Sequence, residues 1–258
     1  MRHSLLTTCR IAALVCAVAL GSAASAQTAT FNDQQRQAIG EIVRDYLMKN
    51  PEVLQEVIGE LEKKQAEAQR VAQTGALKET RQAVLNAPHS FVVGNPAGDV
   101  TLVEFFDYNC GYCKRALSDV RTLAKSDPKL RIVLKDFPVL GPDSVEASRV
   151  ALAARNQLQP EKLLDYHVKL MDSRGRVNGD RALAVAKEMG LDMTRLKNDV
   201  DSPEIRAALQ ENAGLGDKLG LTGTPAFIIG DEVIPGAVGL DPLKQVVASV
   251  RQCGKAAC

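Results

Sequence analysis

Tryptophan is absent from this sequence, and only four tyrosines and six phenylalanines occur among its 258 residues. With so few flat rings, an aromatic-lined site for sugars or bases is not expected. No charge of one sign dominates, since 32 basic residues face 31 acidic ones, so nothing implies a nucleic-acid partner. Histidine is scarce, and His89 and His167 stand in no ligand pattern that would assign them a role. Six cysteines are too few to build a disulfide scaffold at this length. The core must come from hydrophobic burial, and the thiols need their own explanation. No internal repeat is visible. The one sustained apolar run, Ile11 to Leu20, is shorter than a bilayer-spanning helix needs.

That run sits in a three-part pattern. Arg2 and Arg10 give a positive start, the apolar core follows, and Ala24-Ser25-Ala26 supplies a small-residue cleavage site. The pattern predicts a cleaved secretory signal over residues 1–26 and export to the periplasm, rather than a membrane anchor. A lipoprotein would need a cysteine directly after the apolar core, whereas Cys9 and Cys16 lie before and inside it. Loss of Arg2 and Arg10 would turn the formal net charge of +1 into −1. Four cysteines would remain, Cys110, Cys113, Cys253 and Cys258, in a compartment where disulfides persist.

Residues 27–88 read as a helical segment. Asn32 or Asp33 can cap a first helix, in which Ile39, Ile42, Val43, Tyr46 and Leu47 share one face. Asn50-Pro51 is a stop and restart. Leu54, Val57, Ile58 and Leu61 continue an apolar face before a polar stretch, with Gly75 as a possible break and Pro88 as the end. The pattern then changes. Phe91 to Val93 reads as a short edge strand, Val100 to Phe106 as an apolar strand, Asn109 to Lys125 as a helix and Leu130 to Phe137 as a strand. A strand-helix-strand unit implies a parallel pair. Residues 142–220 read as helical, with segments at 145–156, 161–171, 181–189 and 203–219. Ala226 to Ile229 and Glu232 to Ile234 form a hairpin around Gly230-Asp231, and Leu240 to Val250 is a closing helix. The expected class is α/β, with a helical insertion between β-α-β and β-β-α halves across residues 89–258.

Cys110-Gly111-Tyr112-Cys113 falls where a strand ends and a helix begins. A helix N-terminus offers unpaired N–H groups and partial positive charge, which stabilise a thiolate. Cys110 is the expected nucleophile, exposed at the helix start. Cys113, one turn in, is the expected resolving thiol. A bare C-x-x-C can also be half a metal site or a static disulfide. In a metal reading, Cys253 and Cys258 would complete a four-thiolate zinc site. The reading preferred for them is a structural disulfide with each other, ahead of a second redox pair. Thr224-Pro225 follows Gly223 and opens a strand. Proline is tolerated there as a bland feature. In a thioredoxin-like site it would be cis and face the thiols, leaving Thr224 backbone groups for an extended substrate. Glu104 lies inside an apolar strand, either as an outward-facing residue or as a buried acid exchanging protons with Cys113. Lys135 could pair with it, although an ordinary strand-edge lysine is the simpler reading. Tyr112 is a candidate for the substrate groove, as is Tyr108, which could equally be core. No histidine stands between the two cysteines, so a less depressed Cys110 is expected than in the most oxidising pairs.

The run from Phe105 to Lys114, the Gly223-Thr224-Pro225-Ala226-Phe227 segment and the helical insertion together resemble the DsbA-like family, over about residues 91–251. That resemblance implies a thioredoxin fold, an active-site disulfide, a cis-proline loop and periplasmic work on secreted proteins without a cofactor. It also places Glu104 on the family's buried acid. The Gly111-Tyr112 dipeptide departs from the Pro-His of the oxidase prototype and, with Thr224 before the proline, looks like the isomerase pattern. The preceding helices look like the extension of the ScsC-type (suppressor of copper sensitivity C) branch, whose members oligomerise through it. The apolar stripe of residues 31–61 must in any case be buried somewhere, and self-association is the favoured solution. The expected activity is thiol–disulfide exchange on misfolded secreted proteins, with a membrane redox partner. Isomerase or reductase leads, dithiol oxidase follows, and a thiolate metal-binding protein for copper or zinc is third.

Overall fold

A computed structural model describes residues 31–86 and 90–258. The expected secretory address and Pro88 lie outside the described residues. The chain divides into two units between Leu61 and Glu62. The first contains α1 (Asp33–Lys49) and the beginning of α2 (Glu52–Asn86). Asn32, not Asp33, caps α1: its side chain accepts from the Gln35 N–H at 2.9 Å, and the Gln35 side chain returns the bond at 3.0 Å. No residue of α1 is buried. Ile42, Val43, Tyr46, Val57, Ile58 and Leu61 are each at least half exposed, so the apolar stripe read from the sequence stays open to solvent.

The second unit is built on a five-stranded sheet in the order β1-β3-β2-β4-β5. Its strands are β1 (Phe91–Gly94), β2 (Val100–Phe106), β3 (Leu130–Asp136), β4 (Ala226–Ile229) and β5 (Glu232–Pro235). Only β2 and β3 run parallel, joined by α3 (Gly111–Ser126), and the other pairs are antiparallel. Between β3 and β4 come α4 (Pro142–Arg155), α5 (Pro160–Met171), α6 (Gly179–Glu188), α7 (Met193–Val200) and α8 (Pro203–Lys218). Helix α9 (Leu240–Cys253) follows the hairpin. This is the expected thioredoxin-type α/β architecture. Helix α7 falls inside the stretch 142–220 read as helical but has no segment of its own in that reading; it is an eight-residue helix with one buried side chain, Leu196.

Alternation along the strands gives the sheet two apolar faces. Leu102, Phe106, Ile132, Leu134, Phe227 and Ile229 pack with α3, α9 and the insertion. Val103, Phe105, Val133 and Ile228 pack with Leu215 and Leu219 and with Leu77 and Val84 of α2. Those two α2 anchors explain why Gly75 does not break the helix. A glycine costs about 1 kcal/mol in a helix interior, and the buried side chains of Leu77 and, further on, Val84 hold the register. The same parity corrects the expectation for Lys135. It lies beside Phe105 and faces the α2 side, whereas Glu104 lies beside Leu134 and faces α3. The two cannot pair, and Lys135 is no edge lysine: it is 1% exposed and donates to Ser90 Oγ at 3.0 Å.

Candidate active site

The segment between β2 and α3 is held by its own side chains. Asp107 accepts from the Asn109 N–H at 2.7 Å, from Ser144 Oγ at 2.7 Å and, through its other oxygen, from the Leu140 N–H at 3.0 Å. Asn109 donates through Nδ2 to Ser144 Oγ and to the Val177 carbonyl, and accepts from the Val177 N–H. This places Cys110 as the N-cap of α3, with extended backbone and no side-chain capping bond, so the first N–H groups of the helix are left for its sulfur. Gly111 starts the helix with open space where a side chain would stand. Neither Asp107 nor Asn109 was singled out from the sequence. The Asp-x-Asn spacing just before a helix start is the turn-forming signal that could have found them.

Both thiols are free. Contrary to the expected exposure of the first cysteine, Cys110 is only 6% exposed, and Cys113 is 1%. The peptide bond between Thr224 and Pro225 is cis, and the Cys110 thiol reaches the Thr224 carbonyl at 3.1 Å. The Cys110 thiol is pulled down to about 5, first by its hydrogen bond with the Cys113 thiol. Burial opposes this, and hydrogen bonds from the Thr224 side chain and the Cys113 and Tyr112 N–H groups add to it. Cys113 moves well upward, because the proton of that shared bond stays on it and because it is buried. The two thiols are therefore polarised into an attacking thiolate and a protonated reserve. Glu104 is the buried acid: burial, and then the negative charge of Cys110, raise it to about 8, and it acts electrostatically on Cys113.

Tyr108 is corrected from groove to core. It is 3% exposed, stacks edge-on against Phe106 at 5.0 Å, and lies 3.3 Å through its hydroxyl from His167 Nδ1. Burial lowers His167 to about 3, which keeps it neutral beneath the site. Tyr112, 58% exposed, does line an open cleft, together with Gly223, Thr224 and Pro225. The cleft measures about 590 Å³ and is closed on its far side by residues of α2. Cys253 and Cys258 are joined to each other, so the four-thiolate zinc arrangement does not form. Among the described residues no cluster of three or more His, Cys, Asp or Glu side chains is arranged to hold a metal ion.

The site can be set beside known proteins. The family model described as DSBA-like thioredoxin domain matches residues 101–248. The Copper resistance protein ScsC N-terminal domain matches residues 35–68. A thioredoxin-like oxidoreductase from Silicibacter pomeroyi is 42% identical, covers 67% of this chain and 98% of its own, and superposes with a TM-score of 0.64. Proteus mirabilis ScsC in a transitional conformation is 32% identical over 87% of this chain and 98% of its own, with a TM-score of 0.62. Disulfide bond formation protein D of Bacillus subtilis is 26% identical over 60% of this chain and 74% of its own length. The chain spans about a quarter of the length of the Na(+)/H(+) antiporters among its curated relatives.

Proposed function

The chain belongs to the DSBA-like thioredoxin family of thiol–disulfide oxidoreductases, and from that premise we propose that it works in the bacterial periplasm as a self-associating disulfide isomerase or reductase. The observation that carries this reading is the solvent-open stripe of α1 and the start of α2, on a segment similar to the ScsC N-terminal domain. Exposed side chains such as Ile42, Tyr46 and Val57 are paired most simply by copies of themselves. An assembly of this kind sets several Cys110 sulfurs around one misfolded client.

In the proposed reaction the Cys110 thiolate attacks one sulfur of a client disulfide. The client S–S bond breaks, a Cys110–client S–S bond forms, and the displaced client sulfur leaves as a thiolate. In isomerisation, another client thiolate then attacks the Cys110-bound client sulfur and releases Cys110. In reduction, Cys113 gives up its proton, with Glu104 as the nearby acceptor, and attacks Cys110. The client leaves reduced and Cys110–Cys113 becomes a disulfide, which a membrane electron donor must reduce again. Both routes exchange only thiols and disulfides and are written without a cofactor.

One observation favours the opposite direction. A Cys110 held down to about 5 stabilises the reduced pair and makes its disulfide the better oxidant, which suits a dithiol oxidase. Reactivation of scrambled ribonuclease, with Cys110→Ser as control, decides between them. Recovery that disappears in the control supports the isomerase. Rapid oxidation of reduced ribonuclease without reshuffling supports the oxidase, and inactivity in both assays overturns exchange altogether.

A further inference from the structure

The cleft beside the redox pair has a wall contributed by α2, which lies outside the residues 101–248 that match the DSBA-like domain. Helix α2 is anchored on the sheet at Leu77 and Val84. Its preceding turns continue past that anchor, pinned where the Gln73 side chain donates to the Leu219 carbonyl at 3.1 Å. Ala66, Gln69, Arg70 and Gln73 recur at helical spacing and all face the cleft. The opposite wall begins at the cis Thr224-Pro225, whose carbonyl touches Cys110, and ends at Asp231 and Glu232 on the β4–β5 turn. Val233 and Pro235 of β5, the edge strand of the sheet, lie between these ends.

Charge is unevenly placed. Arg70 is held in a two-pronged bond to Glu67, at 2.9 Å on each side, and Glu232 and Asp231 also act on it, so one guanidinium is shared among three carboxylates. Asp231 and Glu232 remain as the net charge of the far end. Asp231 accepts the Ala256 N–H at 2.9 Å, which fixes the turn without neutralising it. The near end, at Gly223, Thr224 and Pro225, adjoins the attacking sulfur of Cys110 through the Thr224 carbonyl, while the far end is acidic.

We propose that α2 is a client-recognition element: residues 66–74, the cis-proline loop and β5 receive an extended client segment flanking its cysteine and prefer a basic side chain at the Asp231–Glu232 end. The proposal rests on the exchange reading. An extended chain in the cleft can use the β5 edge and the Gln69 amide for its backbone, and its selectivity comes from charge complementarity at the rim.

The test uses the full chain carrying Cys113→Ser, so that the first adduct is retained. The probes are two peptides of equal length, each with one cysteine activated as its nitrothiobenzoate disulfide, flanked by lysines in one and glutamates in the other. A third probe is the activated cysteine alone. In each, Cys110 attacks the cysteine sulfur, the S–S bond to the aryl group breaks, and the coloured arylthiolate leaves with the electron pair. Rates are expressed relative to the activated cysteine measured on the same variant. The lysine peptide is expected to react about fivefold faster than the glutamate peptide at low salt, as a small number of exposed charge pairs allows. Part of that preference comes from the Cys110 thiolate itself, so the variants decide. Joint replacement Asp231→Asn and Glu232→Gln is expected to cut the preference at least in half. Ala66→Trp, which fills the α2 wall, is expected to slow both peptides about tenfold relative to activated cysteine. Preference unchanged by the double replacement, or peptide rates unchanged by Ala66→Trp, would overturn the proposal while leaving exchange intact. If the unaltered Cys110 does not react with activated cysteine, the exchange reading falls, and this one with it.

Discussion

Asn109 and Val177 are paired like neighbours in a sheet, although one precedes the redox motif and the other lies in the helical insertion: the Asn109 side-chain amide gives and takes one hydrogen bond with the Val177 backbone, each at 2.8 Å. Position 109 therefore ties the insertion to the residue that carries the nucleophile. Asn109→Ala removes both bonds and leaves buried backbone groups unpaired. Stability should fall by about 1–3 kcal/mol, and Cys110 should react more slowly with a peptide disulfide. Urea unfolding and stopped-flow rates on the same variant check this, and a stability unchanged within error would contradict it.

The Cys110 thiol should titrate near pH 5. Alkylation of the reduced protein by iodoacetamide, followed against pH, should show that midpoint. Cys113→Ala should move it upward by removing the largest stabilising bond. The linkage has a definite sign. Because the folded thiol is depressed, its contribution to the stability of the reduced protein is present above the ordinary thiol range and is lost as pH falls toward 5. A midpoint of 8 or higher in the unaltered protein would refute the polarised pair.

Glu104 works in the opposite sense. Its folded carboxyl is raised to about 8, so the folded state loses stability as pH rises from the ordinary carboxylate range through 8. Glu104→Gln should leave stability unchanged near pH 4 and raise it by about 1–3 kcal/mol at pH 8.5. It should also slow the step in which Cys113 loses its proton. Paired denaturation curves at the two pH values, with mixed-disulfide lifetimes from quenched samples, measure both effects. A gain of equal size at both pH values would show that ionisation is not its source.

Gly216 on α8 lies against Phe137, and a Cβ there would meet the ring at 2.5 Å. Gly216→Ala should cost about 1–3 kcal/mol through overpacking, read as a lower urea midpoint. Gly59→Ala, in the interior of α2 with nothing within 4 Å of the added Cβ, is the contrasting case and should raise the midpoint by relieving the cost of a helical glycine, about 1 kcal/mol.

Reduction of Cys253–Cys258, or Cys253→Ser, opens a short loop held otherwise by the Ala256–Asp231 bond. A loop this short constrains the unfolded chain only weakly, so stability should drop by no more than about 2 kcal/mol. Thermal melts with and without the substitution test this, and complete loss of folding would assign the bridge a larger structural role.

What could be read in advance was whatever is local along the chain. Cys110 and Cys113 are one helical turn apart in any strand-to-helix setting, and Pro225 declares itself by opening a strand. Lys135 was misread because sidedness depends on which strands lie next to it. Placed between β1 and β2, it has no edge to reach, and its parity with Val133 sends it away from Glu104. Tyr108 remained ambiguous for a similar reason, since its fate is decided by His167, some sixty residues later. The Asp107–Asn109 network escaped because its partners, Leu140, Ser144 and Val177, sit beyond an entire helix and strand.

The cleft wall and the buried anchors Leu77 and Val84 belong to one uninterrupted helix. Rotational phase is conserved along such a rod, at about 100° per residue. A single-residue insertion between Thr74 and Leu77 would leave the sheet, the redox pair and the anchors in place, yet turn Ala66, Gln69 and Arg70 away from the sulfur and present a different set of side chains. Client choice in this architecture can therefore change through the length of a helix that carries no catalytic residue.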